Sequence, residues 1–407
     1  MTVDRRHFLK GAAAGAATTA AVGGLTWAGA RADAGDTESV LPQTYPLLGA
    51  HQSGILTPPP AQKQAYAGFV AFDLITPNRT AVADVLRTLT ERARVLTAGG
   101  ALPDLGVGQP PADSDILGPD MPADGLTVTV GFGSTFFDRL GLAGKRPRHL
   151  TPMRIFPNDA PEDAWMHGDI SLQVCAHQPD VIHHAIRDIT RHTRGAIQPR
   201  WKIEGYGAPP RPSGSARNLL GFKDGTANPT GAAASDLIWI DDASEPAWAQ
   251  GGTYQVIRVI RMLVEFWDRV SIREQEKMFG RRRDSGAPLD GNAEFDTPNY
   301  AADPKGQVVP LDSHMRLANP RTSTTENQRL LRRSYNYDLG LDLNGNMSAG
   351  HVFVCYQQDV QRQFEKVQER LINEPLVDYV QPFGGGYFFV PPGLSGSTDW
   401  YGRSLLG

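Results

Sequence analysis

The 407-residue sequence predicts an α+β protein built from two ferredoxin-like (βαββαβ) domains with antiparallel sheets. The main observation is an internal repeat, because residues 169–181 and 350–360 each begin as an apolar strand and continue into a Gln/Asp helix start. Their cysteines, Cys175 and Cys355, are 355 − 175 = 180 residues apart, which a duplicated unit explains. The chain is also long enough for two domains.

Strand and helix patterns surround both copies of the repeat in the same order. The first unit has apolar strand patterns at residues 67–74, 126–132 and 203–206, and a helical pattern at residues 80–96. The second unit has strand patterns at residues 253–260, 332–337 and 387–390, and a helical pattern at residues 264–279. We therefore expect an N-terminal domain at residues 45–215 and a C-terminal domain at 216–407.

Three segments rich in Gly and Pro interrupt these patterns. Residues 206–215 are the expected crossing between the domains. Residues 102–125 and 281–310 are expected to be surface excursions from the two units. Because ligand sites tend to lie between packed domains, we expect a pocket there.

Residues 1–32 have the pattern of an export signal. Arg5 and Arg6 form a twin-arginine pair, and a Gly/Ala/Thr-rich stretch follows at residues 11–30, with small-residue cleavage candidates at its end. An uncleaved membrane anchor is the alternative, since the stretch is about long enough to span a bilayer. Ala, Gly and Thr dominate it instead of Leu, Ile and Phe, which favours the signal. We expect export by the twin-arginine machinery to the periplasm, the cell envelope or the exterior.

Charge and cysteine content exclude several classes of function. The formal charge of 40 − 44 = −4 and the pI near 6.2 provide no basic field for nucleic acid. Cys175 and Cys355 lie in apolar strand patterns, so buried free thiols are predicted, with a disulfide as the alternative in an exported protein. Their spacing suits neither a zinc site nor a C-x-x-C-H motif.

Three segments carry groups that suggest chemistry. Residues 221–229 (GFKDGTANP) place Asp224 in a Gly-flanked turn, and residues 312–321 (DSHMRLANPR) place His314 in an extended loop. Arg332 follows 332 − 314 = 18 residues later, in LLRRSYNY. In this order the segments resemble the signatures of the dye-decolorizing peroxidases, over about residues 50–392. With the export signal, the Arg-Arg-x-Tyr segment resembles the deferrochelatase/peroxidase-like subgroup.

The resemblance implies a haem peroxidase with a non-covalent haem b pocket associated with the C-terminal domain. Hydrogen peroxide would oxidise the iron to a ferryl species, and an organic donor such as a dye or phenol would reduce it in one-electron steps. His314 would be the axial ligand; the alternative is a structural loop histidine that only hydrogen-bonds backbone groups. Asp224 would shuttle a proton if burial raises its pKa. Arg332 would stabilise negative charge on the peroxide, and Arg333 would face a propionate or solvent.

Further site residues follow from the same resemblance. Asp378 is the expected acidic partner of the His314 ring, with helix-end capping as the alternative. Other expected cofactor contacts are backbone close to the porphyrin, apolar wall residues and propionate-binding arginines, namely Gly221, Gly225, Leu330, Phe353, Arg316 and Arg321. Core packing and a solvated face are the alternatives for the wall residues and the arginines. Ser334 stands where some relatives carry Asn.

Electron transfer to bulky donors would use a surface Tyr or Trp, with candidates Tyr335, Tyr337, Tyr387, Trp239 and Trp267. Two other functions stay open, which are deferrochelatase-like removal of iron from haem and non-catalytic haem carriage. A homo-oligomer is also compatible with the sequence. His184, Asp188 and His192 recur at four-residue spacing, where a solvated helix face is favoured over a metal site.

Overall fold

The computed structural model describes residues 44–75 and 78–407, so the predicted export signal lies outside the described residues. The first half contains the strands β1 (Tyr66–Leu74), β2 (Gly100–Ala101), β3 (Asp120–Met121), β4 (Thr127–Gly133), β5 (Ile170–Ala176) and β6 (Ile197–Tyr206). Its helices are α1 (Arg79–Ala98), α2 (Ser134–Arg139) and α3 (Pro179–His192). The Asn78 side chain caps α1 by accepting from the backbone N–H groups of Thr80 and Ala81.

The second half repeats this order. Its strands are β7 (Thr253–Met262), β8 (Leu331–Arg332), β9 (Tyr335–Leu341), β10 (Met347–Gln357) and β11 (Val380–Val390). Its helices are α4 (Gly231–Ile238), α5 (Val264–Trp267), α6 (Ile272–Phe279), α7 (His314–Ala318), α8 (Lys366–Leu371), which continues a π-helical turn at Gln361–Glu365, and α9 (Arg403–Leu406). Short 3-10 turns lie at Pro60–Gln62, Ala143–Lys145, Asp163–Trp165, Ala247–Ala249, Glu326–Gln328 and Pro375–Asp378.

Each half forms a four-stranded antiparallel sheet in ferredoxin-like order, β6-β1-β5-β4 in the first and β9-β10-β7-β11 in the second. The predicted fold class is thereby confirmed. The two sheets also join, because β11 pairs with β4 and β6 pairs with β9, and together they close a ring of strands. The position of the domain boundary stays a prediction.

Alternating side chains of the ring strands form two separate cores. One buried cluster takes residues from both halves, including Phe69, Ile257, Tyr335 and Val354, and fills the inside of the ring. The alternate positions of β1, β4 and β5 face outward and are covered by α1 and α3. Closure therefore fixes the side of the ring that each residue of β9 and β10 faces.

Local structure differs from the sequence prediction at two places. The helix predicted at residues 264–279 is two helices, because Ser271 caps a new start at α6, its hydroxyl accepting from the Glu274 backbone N–H and donating to the Glu274 carboxylate. The strand predicted at residues 332–337 is interrupted between β8 and β9. There the Ser334 hydroxyl accepts from the Val354 backbone N–H, in place of a carbonyl of the strand ladder.

The predicted solvated face of α3 is wrong for two of its residues. His184 is buried and bonds Asp113 at 2.6 Å, and Asp188 is buried against the guanidinium of Arg92. The His184–Asp113 pair attaches the 102–125 excursion to α3, and the Asp188–Arg92 pair attaches α1 to α3. The structure thus assigns this cluster to packing.

Both cysteines are free and buried, as predicted. Over residues 44–75 and 78–407, no helix has the length and apolar character needed to cross a bilayer.

Arg333 ties the segment before β1 to the start of β9, and we expect its loss to destabilise the fold. The side chain is 1% exposed and donates to the Pro58 carbonyl and the Gln64 amide oxygen, each at 2.7 Å. Arg333→Met leaves both acceptors buried without donors, which costs about 2–4 kcal/mol of unfolding free energy. Denaturant titration measures this. The exposed Arg187→Met on α3 is the control, with an expected change below about 0.5 kcal/mol. Equal stability of the two variants would contradict this role.

Candidate functional site

Asp224 lies in a turn whose conformation its glycines allow. Gly221 and Gly225 have φ of 85° and 89°, in the left-handed region where a side chain is strained. A Cβ on Gly221 would meet the Arg283 guanidinium at 3.0 Å, so this glycine faces Arg283. The Asp224 backbone N–H donates to the Ala216 carbonyl at 2.9 Å, and this hydrogen bond helps to fix the position of the carboxylate.

The segment predicted as a surface excursion at residues 281–310 anchors this turn. Glu294 is buried and accepts from Lys223 Nζ at 2.5 Å and from the Thr226 hydroxyl at 3.1 Å. It also accepts the Ser215 backbone N–H at 2.9 Å. A carboxylate with three donors is held in one position, and the turn with it. Sequence reasoning missed Glu294, which lies seventy residues from the turn.

The Asp224 carboxylate has cationic or protonatable partners at both oxygens. Arg332 Nη1 lies 3.2 Å from Oδ1, and His351 Nε2 lies 3.2 Å from Oδ2. The Gly225 N–H also donates to Oδ1, at 2.7 Å. Burial alone would raise the Asp224 pKa, but Arg332 and then His351 outweigh it and hold that pKa well below its usual range. The net effect of burial and charge is therefore not the raised pKa on which the sequence argument made the proton shuttle depend.

Arg332 and Arg333 are directed to opposite sides of the sheet. Asn228 fixes the Arg332 backbone from both ends, since its Oδ1 accepts from the Arg332 N–H and its Nδ2 donates to the carbonyl. This places the Arg332 side chain beside Asp224. Arg333 is buried toward Pro58 and Gln64, so it faces neither solvent nor the site.

His314 is the first residue of α7, where an extended loop was expected. Its Nδ1 lies 2.7 Å from Oε2 of Glu374, a buried residue directly before a 3-10 turn. This corrects the prediction of Asp378, which lies at the exposed end of that turn. Burial lowers the His314 pKa, but the Glu374 carboxylate outweighs it, so the pKa is raised.

The Asp224 turn and His314 converge on one region. The charges of Arg332 and Asp224 both act on the pKa of the His314 ring. The stacked Phe222 and Phe279 rings, 3.9 Å apart, connect the turn to α6, and the Phe279 ring lies 6.1 Å from that of His314. The structure thus brings the three motif residues together.

The other predicted contacts have mixed outcomes. Leu330 and Phe353 are half-buried and pack against the outer core, with the Phe353 ring 6.2 Å from that of Phe364. Arg316 does not suit propionate binding as predicted, because its guanidinium donates to the Val309 and Asp303 carbonyls at 2.9 Å. Arg316 thereby secures the loop that precedes α7.

Lys63 and His351 were missed in the sequence. Lys63 Nζ donates to the Ser334 carbonyl and lies 4.0 Å from the centre of the Tyr335 ring. Burial and the Arg333 charge lower the pKa of Lys63 to about 8, against the opposing effect of Asp224. The available signal for His351 was one polar residue at the start of the apolar run on β10.

Most of the predicted surface radical residues are buried. Four of them are at most 3% exposed, namely Tyr335, Tyr337, Tyr387 and Trp267. Trp239 is half-buried and stacks on the His51 ring at 3.7 Å, so only this candidate keeps access to solvent.

The described residues fit a haem group. His314 is 32% exposed at its side chain, and its Nε2 has no hydrogen-bond partner within the described part of the chain. There, the buried Nε atoms of Arg321 and Arg329 also lack partners. Burial, and then the charges of Arg332 and Arg321, lower the pKa of Arg281, so these cations act on one another. One imidazole with a carboxylate partner suits haem iron, and clustered arginines suit propionates.

Family models match nearly all of the described chain. The model of the Dyp-type peroxidase N-terminal region matches residues 52–207, and that of the C-terminal region matches residues 215–395. The model of the twin-arginine translocation pathway signal sequence matches residues 2–22. The signal indicates export from the cytoplasm.

Known relatives and solved structures agree with the matches to these family models. The chain is 46% identical over 383 residues to a deferrochelatase of Yersinia pestis, covering 92% of this chain and 87% of the relative. It is 46% identical over 374 residues to that of Escherichia coli K12, covering 89% and 88%. A DyP-type peroxidase from Cellulomonas bogoriensis superposes with a TM-score of 0.80 at 36% identity, covering 89% of this chain and 98% of that one. DtpA from Streptomyces lividans, in an oxyferrous/water mixed complex, superposes with 0.80 at 34%, covering 91% and 99%.

A variant of DypB from Rhodococcus jostii in complex with heme shares the fold, with a TM-score of 0.60 at 21% identity, covering 81% of this chain and 93% of that one. The match to both halves and the identity over nine-tenths of the sequence decide the family. The chain belongs to the Dyp-type peroxidases, a family of haem-dependent oxidoreductases that act on peroxide.

Proposed function

We propose that this chain is an exported haem b peroxidase in which His314 binds the iron and Asp224 and Arg332 act on hydrogen peroxide. The observation that carries the proposal is the Asp224–Arg332 pair, 3.2 Å apart and within electrostatic reach of the His314 ring. A protein that only carried haem would need the imidazole but no paired acid and cation. The pair therefore favours catalysis over carriage.

His314 would bind the iron through Nε2, since Glu374 occupies Nδ1. When bound, haem supplies an electrophilic, redox-active iron at which peroxide reacts. The Glu374 carboxylate fixes the proton of the ring on Nδ1, orients the ring and makes it more electron-rich. Both cysteines are buried free thiols, which supports non-covalent attachment.

Asp224 and Arg332 would divide the work on peroxide. Arg332 and His351 hold Asp224 ionised and in position, so it can accept a proton from one peroxide oxygen and return it to the other. Arg332 keeps its charge when desolvated, so it stabilises negative charge on the peroxide and holds Asp224 in place. Both side chains are 25% exposed, which leaves them open to a small substrate.

Export supports the same assignment. The twin-arginine route carries folded proteins, which suits an enzyme that receives a non-covalent cofactor before leaving the cytoplasm. Hydrogen peroxide and an organic donor would be met outside, in the periplasm, cell envelope or medium.

Removal of iron from haem is the second candidate function. It is favoured by the relatives named deferrochelatase, which are 46% identical over 92% of this chain. The same imidazole and arginines would hold the haem in either case. The two functions differ in product, since one leaves the macrocycle with its iron and the other releases metal-free porphyrin.

The His314→Ala variant should lose stable haem binding or shift its Soret band strongly. In the part of the chain that the structure describes, no other histidine lies in a segment that resembles the family's axial-ligand signature. Absorption spectra of purified holoprotein measure this. His183→Ala, at an exposed position of α3, is the control and should leave the spectrum unchanged. A wild-type spectrum and full activity in His314→Ala would exclude this ligand.

Asp224→Asn and Arg332→Leu should slow the first reaction with peroxide in different ways. Asp224→Asn removes the proton acceptor, so the rate constant should fall about 10²–10⁴-fold and recover as rising pH supplies hydroperoxide. Arg332→Leu removes the charge, so azide should also bind more weakly and raising the pH should not rescue it. Stopped-flow absorption with one equivalent of peroxide measures the rates.

Exposed Asp236→Asn on α4 is the control and should behave as wild type. A normal rate in Arg332→Leu would remove this residue from the peroxide site.

Incubation with haem separates the two candidate functions. For the peroxidase, we expect peroxide-dependent oxidation of a dye and no porphyrin fluorescence when haem is supplied without peroxide. Appearance of free protoporphyrin, with Asp224→Asn and Arg332→Leu compared alongside, would instead establish iron removal.

A further inference from the structure

His351 contacts the Asp224 carboxylate from the side opposite Arg332. It lies on β10, is 8% exposed, and directs Nε2 to Asp224 Oδ2 at 3.2 Å. Its other ring nitrogen, Nδ1, lies 3.3 Å from Oδ1 of buried Asn336 on β9. The imidazole therefore bridges a carboxylate and an amide, with little surface open to solvent.

The orientation of Asn336 determines which ring nitrogen carries a proton. Its Nδ2 donates to the Arg217 carbonyl at 3.0 Å, so Oδ1 is the atom presented to His351. An amide oxygen can only accept a hydrogen bond, so Nδ1 of His351 must be the donor. In a neutral imidazole the proton on Nδ1 leaves Nε2 bare.

A bare Nε2 facing an ionised carboxylate oxygen at 3.2 Å would set two acceptors against each other. The contact therefore requires one more proton, shared between His351 and Asp224. Arg332 and the Gly225 N–H both stabilise the ionised carboxylate at its Oδ1. The additional proton accordingly belongs to Nε2, which makes His351 an imidazolium ion.

The surrounding charges leave this pair intact. Lys63 acts on Asp224 and favours its ionised form. On β7, which pairs with β10, the Arg258 guanidinium is engaged by Asp159. On β9, the next carboxylate on the Asn336 face, Asp338, accepts the Gly340 N–H. Arg217 directs its guanidinium to the carbonyls of residues 221, 283 and 284.

We propose that His351 is a positioning residue, an imidazolium ion that holds Asp224 ionised and oriented and adds a positive charge beside the peroxide site. Its Nε2–H donates to Asp224 Oδ2 while its Nδ1–H donates to Asn336 Oδ1. Asp224 can then take a proton from peroxide and return it, while His351 keeps its own proton.

The inference rests on the proposed function only in placing Asp224 at the peroxide site, and azide binding to ferric holoprotein tests it without turnover. The positive charge of the His351 imidazolium should strengthen the binding of azide anion. His351→Gln keeps a donor for Asp224 but carries no charge, so at the same pH it should bind azide about tenfold more weakly than wild type. His183→Gln is the matched control and should bind azide as wild type does.

A second variant, at Asn336, gives an independent measurement if His351→Gln folds poorly. Replacing Asn336 by a carboxylate would offset the imidazolium charge, so the variant used is Asn336→Leu, which removes the acceptor of the Nδ1 proton and with it the contact that keeps two protons on the ring. Azide should again bind more weakly than to wild type. Wild-type azide affinity in both His351→Gln and Asn336→Leu would overturn the inference. Weakened azide binding in these variants together with no peroxide-dependent dye oxidation in wild type would overturn the proposed function and leave the inference standing.

Discussion

The contact between Asp224 and Arg332 is the interaction on which the site depends, because it joins two distant parts of the chain in one chemical unit. Asp224 comes from a turn held by Glu294, and Arg332 comes from β8, whose backbone is fixed by Asn228 of that same turn. The ion pair alone, at 25% exposure of both partners, would contribute little to stability. Its geometry persists because neutral hydrogen bonds and the buried Lys223–Glu294 pair position both backbones. The charges of Asp224 and Arg332 thus contribute little to folding and would remain available to interact with substrate.

The closed ring of strands supplies the rigid frame behind this unit. Because β10 pairs with both β7 and β9, the outward position of His351 is fixed relative to Asn336. On the other side, α7 presents His314 with Glu374 behind it, and Arg370 ties α7 to α8 through the Leu317 carbonyl. Each chemical group therefore has a second residue that fixes its position, which is what a preorganised site requires.

The sequence was sufficient for groups that belong to continuous motifs and insufficient for groups that meet through the fold. Asp224, His314 and Arg332 lie in recognisable segments, and the repeated strand-helix pattern predicted two ferredoxin-like units. Glu374 was missed in favour of Asp378 because periodicity does not show which end of a short 3-10 turn faces back to α7. Ring closure and the role of His351 depend on pairings between halves, such as Tyr206 with Asn336, for which no local pattern exists. The charge on Asp224 could not be predicted, since it depends on partners at positions 332 and 351.

A double-mutant cycle tests most directly whether Asp224 and Arg332 act as one unit on peroxide. The rate constant for the first reaction of holoprotein with peroxide would be measured in wild type, Asp224→Asn, Arg332→Leu and the double variant. Residues that act together lose most of their joint effect when either is removed. We predict that the double variant will be little slower than the slower single variant. Losses that multiply in full would contradict a shared role for this pair.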